Sequence, residues 1–563
     1  MRAWLPLCGT LCVPLLLLLA DEPSRIEYVD VAGKWGLTVP TTFGGKDRKD
    51  YILETTGTGA AIFDYDGDGR NDVFIANGTT LQNSGAASGS QLYRNDGKGH
   101  FTDVAEQAGL TRSGWAQAAC IADFDNDGHP DLLVTYYGHN SLYRNLGNGK
   151  FSEVTAAAGL PVSGTRWGSG CAFVDYDRDG YADIFISNYV DLDLSKTPRP
   201  GTDATCQWKG IPVMCGPRGL PKAQNVLFHN NRDGTFTDVS EKAEILALGG
   251  RYGLGVAAAD FDNDGWPDIY VACDMTPSLL YRNRHDGTFE ERGDAAGVAY
   301  NADGQLQAGM GVAVADFMGS GFLGIAKTNF SGDRPSLYKN EDGSFFEDVS
   351  ARAGVGIHQF LGWGIAFVDA DEDGWPDLVM ANGHVYPEVD NSAIGERYRQ
   401  KTLFYRNLGN GRFADVTDSA GPAFKELRPA RGLATGDLDG DGRPEVVIVN
   451  MNQPPTVLKN MGGRQNAIGF ALIGTRSNRS AIGARCTIAA GGHRQTAEVM
   501  SGGSYFSQNS MTLHFGVGAS QKIDELQIRW PSGTVQKWSN VPANRTVQIT
   551  EGKDVYTTKE WVQ

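Results

Sequence analysis

The chain has 563 residues, a formal net charge of −17, 41% hydrophobic and 21% charged residues. That apolar share excludes disorder as the main state, and the length exceeds one ordinary core, so several domains or a repeat array are expected. The acidity argues against nucleic acid as a partner and against broad contact with anionic lipid, while 73 glycines point to many tight turns.

Residues 1–20 read as a signal peptide: Met1 and Arg2 start a short basic end, Leu5 to Ala20 is apolar with five consecutive leucines, and Asp21, Glu22 and Pro23 stop the run. An uncleaved anchor is the alternative. No later stretch is long and apolar enough to span a bilayer, so the mature chain is expected to have no membrane span and to be secreted, periplasmic or on the cell surface.

From there an acidic nine-residue loop recurs. It reads DYDGDGRND from Asp64, DFDNDGHPD from Asp123, DYDRDGYAD from Asp175, DFDNDGWPD from Asp260, DADEDGWPD from Asp369 and DLDGDGRPE from Asp437, with a degraded copy, DFMGSGFLG, from Asp316. An apolar strand-like segment precedes each copy and a β-rich run follows it. A second motif then reads as a hairpin, as in LYRNDGKGHFTDV from Leu92 and LYRNLGNGKFSEV from Leu142. Seven units of four short strands predict an all-β fold, a seven-bladed β-propeller over residues 26–460. The seventh unit lacks its last strand, and an orphan YVDV from Tyr28 is expected to supply it and close the ring.

Each intact loop places carboxylates at positions 1, 3, 5 and 9 around a glycine at position 6. Hard oxygen ligands on a tight turn suit Ca2+ better than Mg2+. The expected ligands are Asp64, Asp66, Asp68 and Asp72; Asp123, Asp125, Asp127 and Asp131; Asp175, Asp177, Asp179 and Asp183; Asp260, Asp262, Asp264 and Asp268; Asp369, Asp371, Asp373 and Asp377; and Asp437, Asp439, Asp441 and Glu445. About six structural ions would move the formal charge from −17 to −5. The copy at Asp316 has Met318, Ser320 and Gly324 at ligand positions and is expected to hold none. Asp and Gly as mere turn formers is the plainer alternative, weakened by six repetitions.

Cys206 and Cys215 bracket CQWKGIPVMC in the one long interval and are the expected disulfide; Cys120, Cys171, Cys273 and Cys486 read as buried thiols. No Cys/His spacing points to zinc.

On the face opposite the acidic loops, the second strands end at Asn188, Asn329, Asn382 and Asn450, and the first strands are entered near Arg166, Arg251 and Arg428 with Trp167 and Tyr252 beside two of them. His384 and His139 lie in the same loop set. Two readings stand: the amides cap strand ends, or these groups line a mouth for a glycan or protein ligand.

Residues 466–551 show alternating β patterns, read as a small separate antiparallel domain, sandwich-like, with WPSG at Trp530 as a turn with an aromatic anchor. The repeats resemble FG-GAP/VCBS repeats, as in integrin alpha-subunit propellers. SNRSAIGARCTI from Ser477, GGSYFSQNSMTLHFGVG from Gly502, WPSG and PANRTVQITEG from Pro542 resemble the ASPIC-and-UnbV domain. The combination is similar to the cartilage acidic protein family, bacterial-type members included. The resemblance implies calcium-binding, extracellular, adhesion- or matrix-like proteins without a well-established enzymatic activity. The expected function is therefore a calcium-stabilised binding or adhesion module. The alternatives are a polysaccharide lyase- or dehydratase-like enzyme, with His384 or His139 as base and an arginine on the substrate acid, and a surface scaffold.

Overall fold

The computed structural model describes residues 26–83, 89–356 and 359–562. The segment read as a signal peptide lies outside these residues. Between Tyr28 and Asn460 the strands form seven four-stranded antiparallel units, two of them joined where Arg166 and Trp167 pair with Gly138 and Tyr137. Unit one is typical: Ala60–Phe63, Asp72–Ile75, Gln91–Asn95 and Phe101–Asp103, each paired with the next.

The first strands of successive units, Ala60–Phe63, Trp115–Ala122, Arg166–Val174, Gly253–Ala259, Gly309–Ala315, Gly362–Val368 and Ala430–Gly436, touch in turn, and the last touches the first. The ring is closed and the fold is a β-propeller. These strands crowd the axis, which is why they are rich in Ala and Gly. A Cβ at Gly255 would lie 2.4 Å from the Met310 carbonyl oxygen, and one at Gly311 2.1 Å from that of Trp363.

The last unit is completed from the other end of the chain. Tyr28–Asp30 pairs antiparallel with Thr456–Asn460, Tyr28 opposite Asn460. Joining the two ends of the repeat array in one sheet fastens the ring at its seam, while each sheet keeps only short edge strands.

After the ring come two further four-stranded sheets. One holds Asn466–Ile473, Leu513–Gly518, Arg545–Thr550 and Thr557–Glu560; the other holds Arg485–Ala490, His493–Glu498, Lys522–Arg529 and Val535–Pro542. They enclose a core that includes Phe470, Ile488, Leu526, Trp530 and Val547. Two expectations need correction. Asn466–Ile473 runs parallel to Arg545–Thr550, so the sheets are not wholly antiparallel. The sandwich is also not separate: it sits on the acidic-loop end of the ring.

Its segment 501–510 enters the central channel and bonds to the first strand of every unit. Gln508 N–H donates to the Ala60 carbonyl at 2.9 Å, and Ala119 N–H to that of Phe506 at 3.2 Å. Phe173 N–H reaches Ser501 Oγ at 3.2 Å. Gly503 N–H donates to the Val256 carbonyl, Val312 N–H to that of Ser504, and Ser510 N–H to that of Thr435, each at 2.9 Å. Ile365 N–H completes the circuit on Ser504 Oγ at 3.1 Å.

Cys206 and Cys215 are joined, as expected. Cys120 and Cys171 are joined too, which corrects their reading as thiols; only Cys273 and Cys486 are free among the described cysteines. Cys120 and Cys171 stand on neighbouring first strands, so the ring brings together residues 51 apart in sequence. Reducing this bridge, or Cys120→Ala, is expected to cost about 2–4 kcal/mol through the loop it closes, read as a lower denaturation midpoint with reductant. An unchanged midpoint would contradict it.

Candidate metal centres and the opposite face

Each acidic loop joins the first and second strands of its unit. Position 1 folds the loop on itself: Asp64 accepts the amides of Gly67, Asp68 and Gly69, and Asp123 those of Asp127 and Gly128. Position 9 opens the second strand and binds two amides. Asp72 accepts from Tyr65 at 3.1 Å and Asn95 at 2.8 Å, and Asp131 from Phe124 at 3.0 Å and Asn145 at 2.7 Å.

The asparagine ending each third strand ties the loops into a circle, a role the hairpin motif alone did not disclose. Asn145 Nδ2 donates to its own loop at Pro130 and to the preceding unit's loop at Tyr65. Asn230 does so at Phe124, Asn283 at Tyr176, Asn340 at Phe261, Asn407 at Phe317 and Asn460 at Ala370. Asn95 closes the circle on Leu438 of the last unit. The aromatic ring at position 2 packs on the next unit's fourth strand, Tyr65 on Phe151 and Phe124 on Phe236.

Grouped carboxylates form where the spacing predicts them. The ligand-capable oxygens of Asp64, Asp66 and Asp72 lie within 4.8 Å of one another, as do those of Asp123, Asp125 and Asp127, of Asp175, Asp177 and Asp183, and of Asp260, Asp262 and Asp264. Basic groups of the third strand lean on several loops. Arg144 Nε is 2.5 Å from Asp125 and Nη2 3.1 Å from Asp127, while Arg406 holds Asp371 and Asp373 at 2.6 and 3.2 Å. Lys459 reaches Asp441 at 2.9 Å and also Asp439. Two arginines of the sandwich, Arg529 and Arg485, approach Asp260.

Burial pushes these acids up, and their neighbours add to it: Asp72 to about 8, Asp183 to about 7, and Asp123, Asp373 and Asp437 to about 6. Asp131, Asp175, Asp268, Asp369, Asp377 and Glu445 rise well above the usual carboxylate range for the same reason.

A divalent cation fits this donor set. Oδ1 of Asp66, Asp177 and Asp439 and Oε1 of Glu445 are shielded from solvent, and among the described residues no hydrogen-bond donor reaches them. Acceptor oxygens buried without donors are what an ion ligated by oxygen would engage. The loop at Asp316 differs: only Asp316 offers a carboxylate, and the amides of Ser320 and Gly321 take it.

The sandwich covers this face. Asp123 N–H donates to Ser480 Oγ, Arg479 N–H to Asn126, Gly516 N–H to Asp369, and Lys559 Nζ to the Gly69 carbonyl. Under units five to seven the seam leaves a cavity of about 230 Å³, lined in part by Asp369, Asp437, His493 and Met511.

On the opposite face most of the residues named for the expected mouth are buried. Asn188, Asn329, Asn382 and Asn450 are buried and cap strand ends, donating to the carbonyls of Gln224, Arg334, Lys401 and Pro454. Trp167 is fully buried against Tyr137 and Tyr189, and the Tyr252 hydroxyl donates to the Leu220 carbonyl at 2.6 Å. His384 is fully buried: Nδ1 accepts from the Tyr386 amide and Nε2 faces Glu396 at 2.9 Å, so it exposes no basic nitrogen. Arg166 is exposed, while Arg251 and Arg428 are half-buried, Arg251 on the Leu248 and Gly250 carbonyls.

This face is built instead by insertions. Residues 189–224 follow the second strand of unit three, and residues 383–402 that of unit six. Lys209 and Ser331 both bond Glu396, clamping the disulfide hairpin to the second insertion.

A family model for FG-GAP-like repeats matches residues 64–134, 123–186, 218–271, 260–326 and 393–448, together more than half of the chain. This chain belongs to the FG-GAP-like repeat family. A model for ASPIC and UnbV matches residues 474–555 of this FG-GAP-like protein, the docked sandwich. It is 26% identical over 512 residues to cartilage acidic protein 1 of Xenopus tropicalis, covering 85% of this chain and 70% of that protein. To cartilage acidic protein 1 of Homo sapiens it is 25% identical over 382 residues, 65% of this chain, and it spans half of that protein's length. Among solved structures it aligns with an Agrocybe aegerita lectin at 17% identity and TM-score 0.36, covering 65% of this chain and 81% of that one. It aligns with Bacillus licheniformis rhamnogalacturonan lyase at 13% identity and TM-score 0.37, covering 77% and 75%.

Proposed function

We propose that this protein is a secreted, calcium-stabilised propeller that serves as a binding or adhesion module, taking an acidic glycan or an acidic protein segment on the face opposite the acidic loops. The observation that carries the reading is which end of the ring is free. The sandwich covers the acidic-loop end and segment 501–510 fills the channel, so the insertion face is the end of the ring left free. In a chain of net charge −17, the insertion 189–224 carries Lys196, Arg199, Lys209, Arg218 and Lys222 against Asp191, Asp193 and Asp203. All five cations are exposed. Such a collar suits carboxylates or sulfates.

Arrays of uronate-containing or sulfated polysaccharides and of extracellular proteins, probed with the full chain in millimolar calcium, test this. The expected result is retention on acidic ligands that falls by about tenfold or more when Arg218 and Lys222, which hold no ion-pair partner among the described residues, are both changed to Glu. Retention that ignores the reversal, or none on any acidic ligand, would overturn the assignment of this face.

A further inference from the structure

We propose that the acidic loop of unit three is a site for a divalent transition ion of the Zn2+ or Co2+ class, completed by the imidazole of His229. The inference rests on the reading that the loops hold cations and gives this one a different ion.

The fourth residue of the third strand, just before the closing asparagine, stands beside the acidic loop. It is Arg94, Arg144, Arg282 and Arg406 in units one, two, four and six, and Lys339 and Lys459 in units five and seven. A guanidinium or ammonium balances charge and offers no lone pair. In unit three the same place holds His229, which offers one. No spacing in the sequence reveals the set, because His229 is separated from Asp183 by the long insertion and meets it only through strand pairing.

The geometry suits a small ion. His229 Nδ1 lies 3.2 Å from Asp183 Oδ1 and 3.5 Å from Asp177 Oδ2. Ligands about 2.0–2.1 Å from a tetrahedral centre stand about 3.3–3.4 Å apart. Asp177, Asp179 and His229 each offer an atom within 4.8 Å of the others, and Asp175, Asp177 and Asp183 form an overlapping group. His229 Nδ1 and Asp177 Oδ1 are shielded from solvent and make no aligned hydrogen bond. The imidazole is oriented by the edge of Tyr176, 6.1 Å away at 81°. Arg232 holds Asp179 Oδ2 at 2.7 Å, so Asp177, Asp183 and His229 are the principal ligands, with Asp175 or Asp179 as the fourth. Ca2+ prefers an all-oxygen shell of six to eight ligands, whereas an imidazole raises affinity along the Irving–Williams order toward Zn2+.

The test uses the full chain, stripped of metal and returned to millimolar Ca2+, then titrated with Co2+ and read by visible d–d absorption. One equivalent is expected to bind and to be displaced by one equivalent of Zn2+. His229→Arg, which gives unit three the residue of four other units, should weaken Co2+ binding by about 100-fold or more and leave the calcium-dependent melting temperature in place. His229→Gln is the second variant should the first disturb the fold. His285, whose Nε2 lies 2.6 Å from Asp264, is the control: His285→Asn should keep the band. The proposal is overturned if the wild-type chain shows no cobalt band, if the His229 variants keep it, or if His285→Asn removes it. A chain whose melting ignores calcium would sink the calcium reading instead, while the cobalt titration still decides this site.

Discussion

Tyr505→Ala is expected to lower the unfolding free energy by about 3–5 kcal/mol, the range for emptying a large aromatic site in a core. Tyr505 lies in the channel segment and is fully buried, with ring centroids 3.9 Å from Phe506 and 4.8 Å from Trp363. The segment is held rather than merely inserted: Ser504 and Phe506 adopt φ of 49° and 57°, a region that a bulky side chain rarely enters without surrounding constraint. Gln508→Ala should add about 1–3 kcal/mol, because its Oε1 accepts the buried Ile121 amide at 2.6 Å and no solvent replaces it. Tyr505→Phe is the control. Its hydroxyl has no hydrogen-bond partner among the described residues, so losing it should change little. Because the segment touches all seven first strands, ring and sandwich should unfold together in denaturant in the wild-type chain. In Tyr505→Ala the two transitions should separate. An unchanged midpoint in Tyr505→Ala would show that the segment does not couple them.

That coupling was not legible in GGSYFSQNS, and the reason is physical. Its bonds to the ring run mostly through backbone amides and carbonyls, which any sequence carries, and through small polar side chains that also suit an ordinary turn. The repeat was legible because each unit must rebuild the same turn, strand start and hairpin, which keeps Asp, Gly and Asn at fixed offsets. The closing strand at Tyr28 was legible for a related reason: a unit missing one strand must find it elsewhere. The Cys120–Cys171 bridge was not, since it depends on the packing of neighbouring first strands and on no local pattern. The asparagines at 188, 329, 382 and 450 were visible as a series, but a strand-end cap and a ligand-facing amide look alike until burial separates them. His229 was hidden in the same way, its meaning set by a loop that the chain reaches only after a long insertion.

Calcium should stabilise this protein by an amount that grows with pH. In the metal-free chain, burial and mutual repulsion raise Asp72 to about 8, Asp183 to about 7, and Asp123, Asp373 and Asp437 to about 6. An unfolded Asp titrates near 3.9, so between about pH 4 and pH 8 the folded, metal-free chain holds more protons than the unfolded one. Stability must then fall as pH rises through that window, because ionising these acids costs more in the fold than out of it. A bound divalent cation reverses the sign by favouring the ionised form, and protons compete with it at low pH. Each loop with free calcium a hundredfold above its dissociation constant would contribute about 2.7 kcal/mol, so several loops together exceed any single side-chain substitution considered above. Melting of dialysed protein with and without millimolar calcium should therefore show a small gap near pH 5 and a large one near pH 8. Asp131→Asn removes one ligand but leaves the opposite face intact, and it should shrink the pH 8 gap by about one loop's share. A gap that is constant with pH, or absent, would mean that the buried carboxylates are satisfied by Arg144, Arg282, Arg406 and Lys459 rather than by an ion.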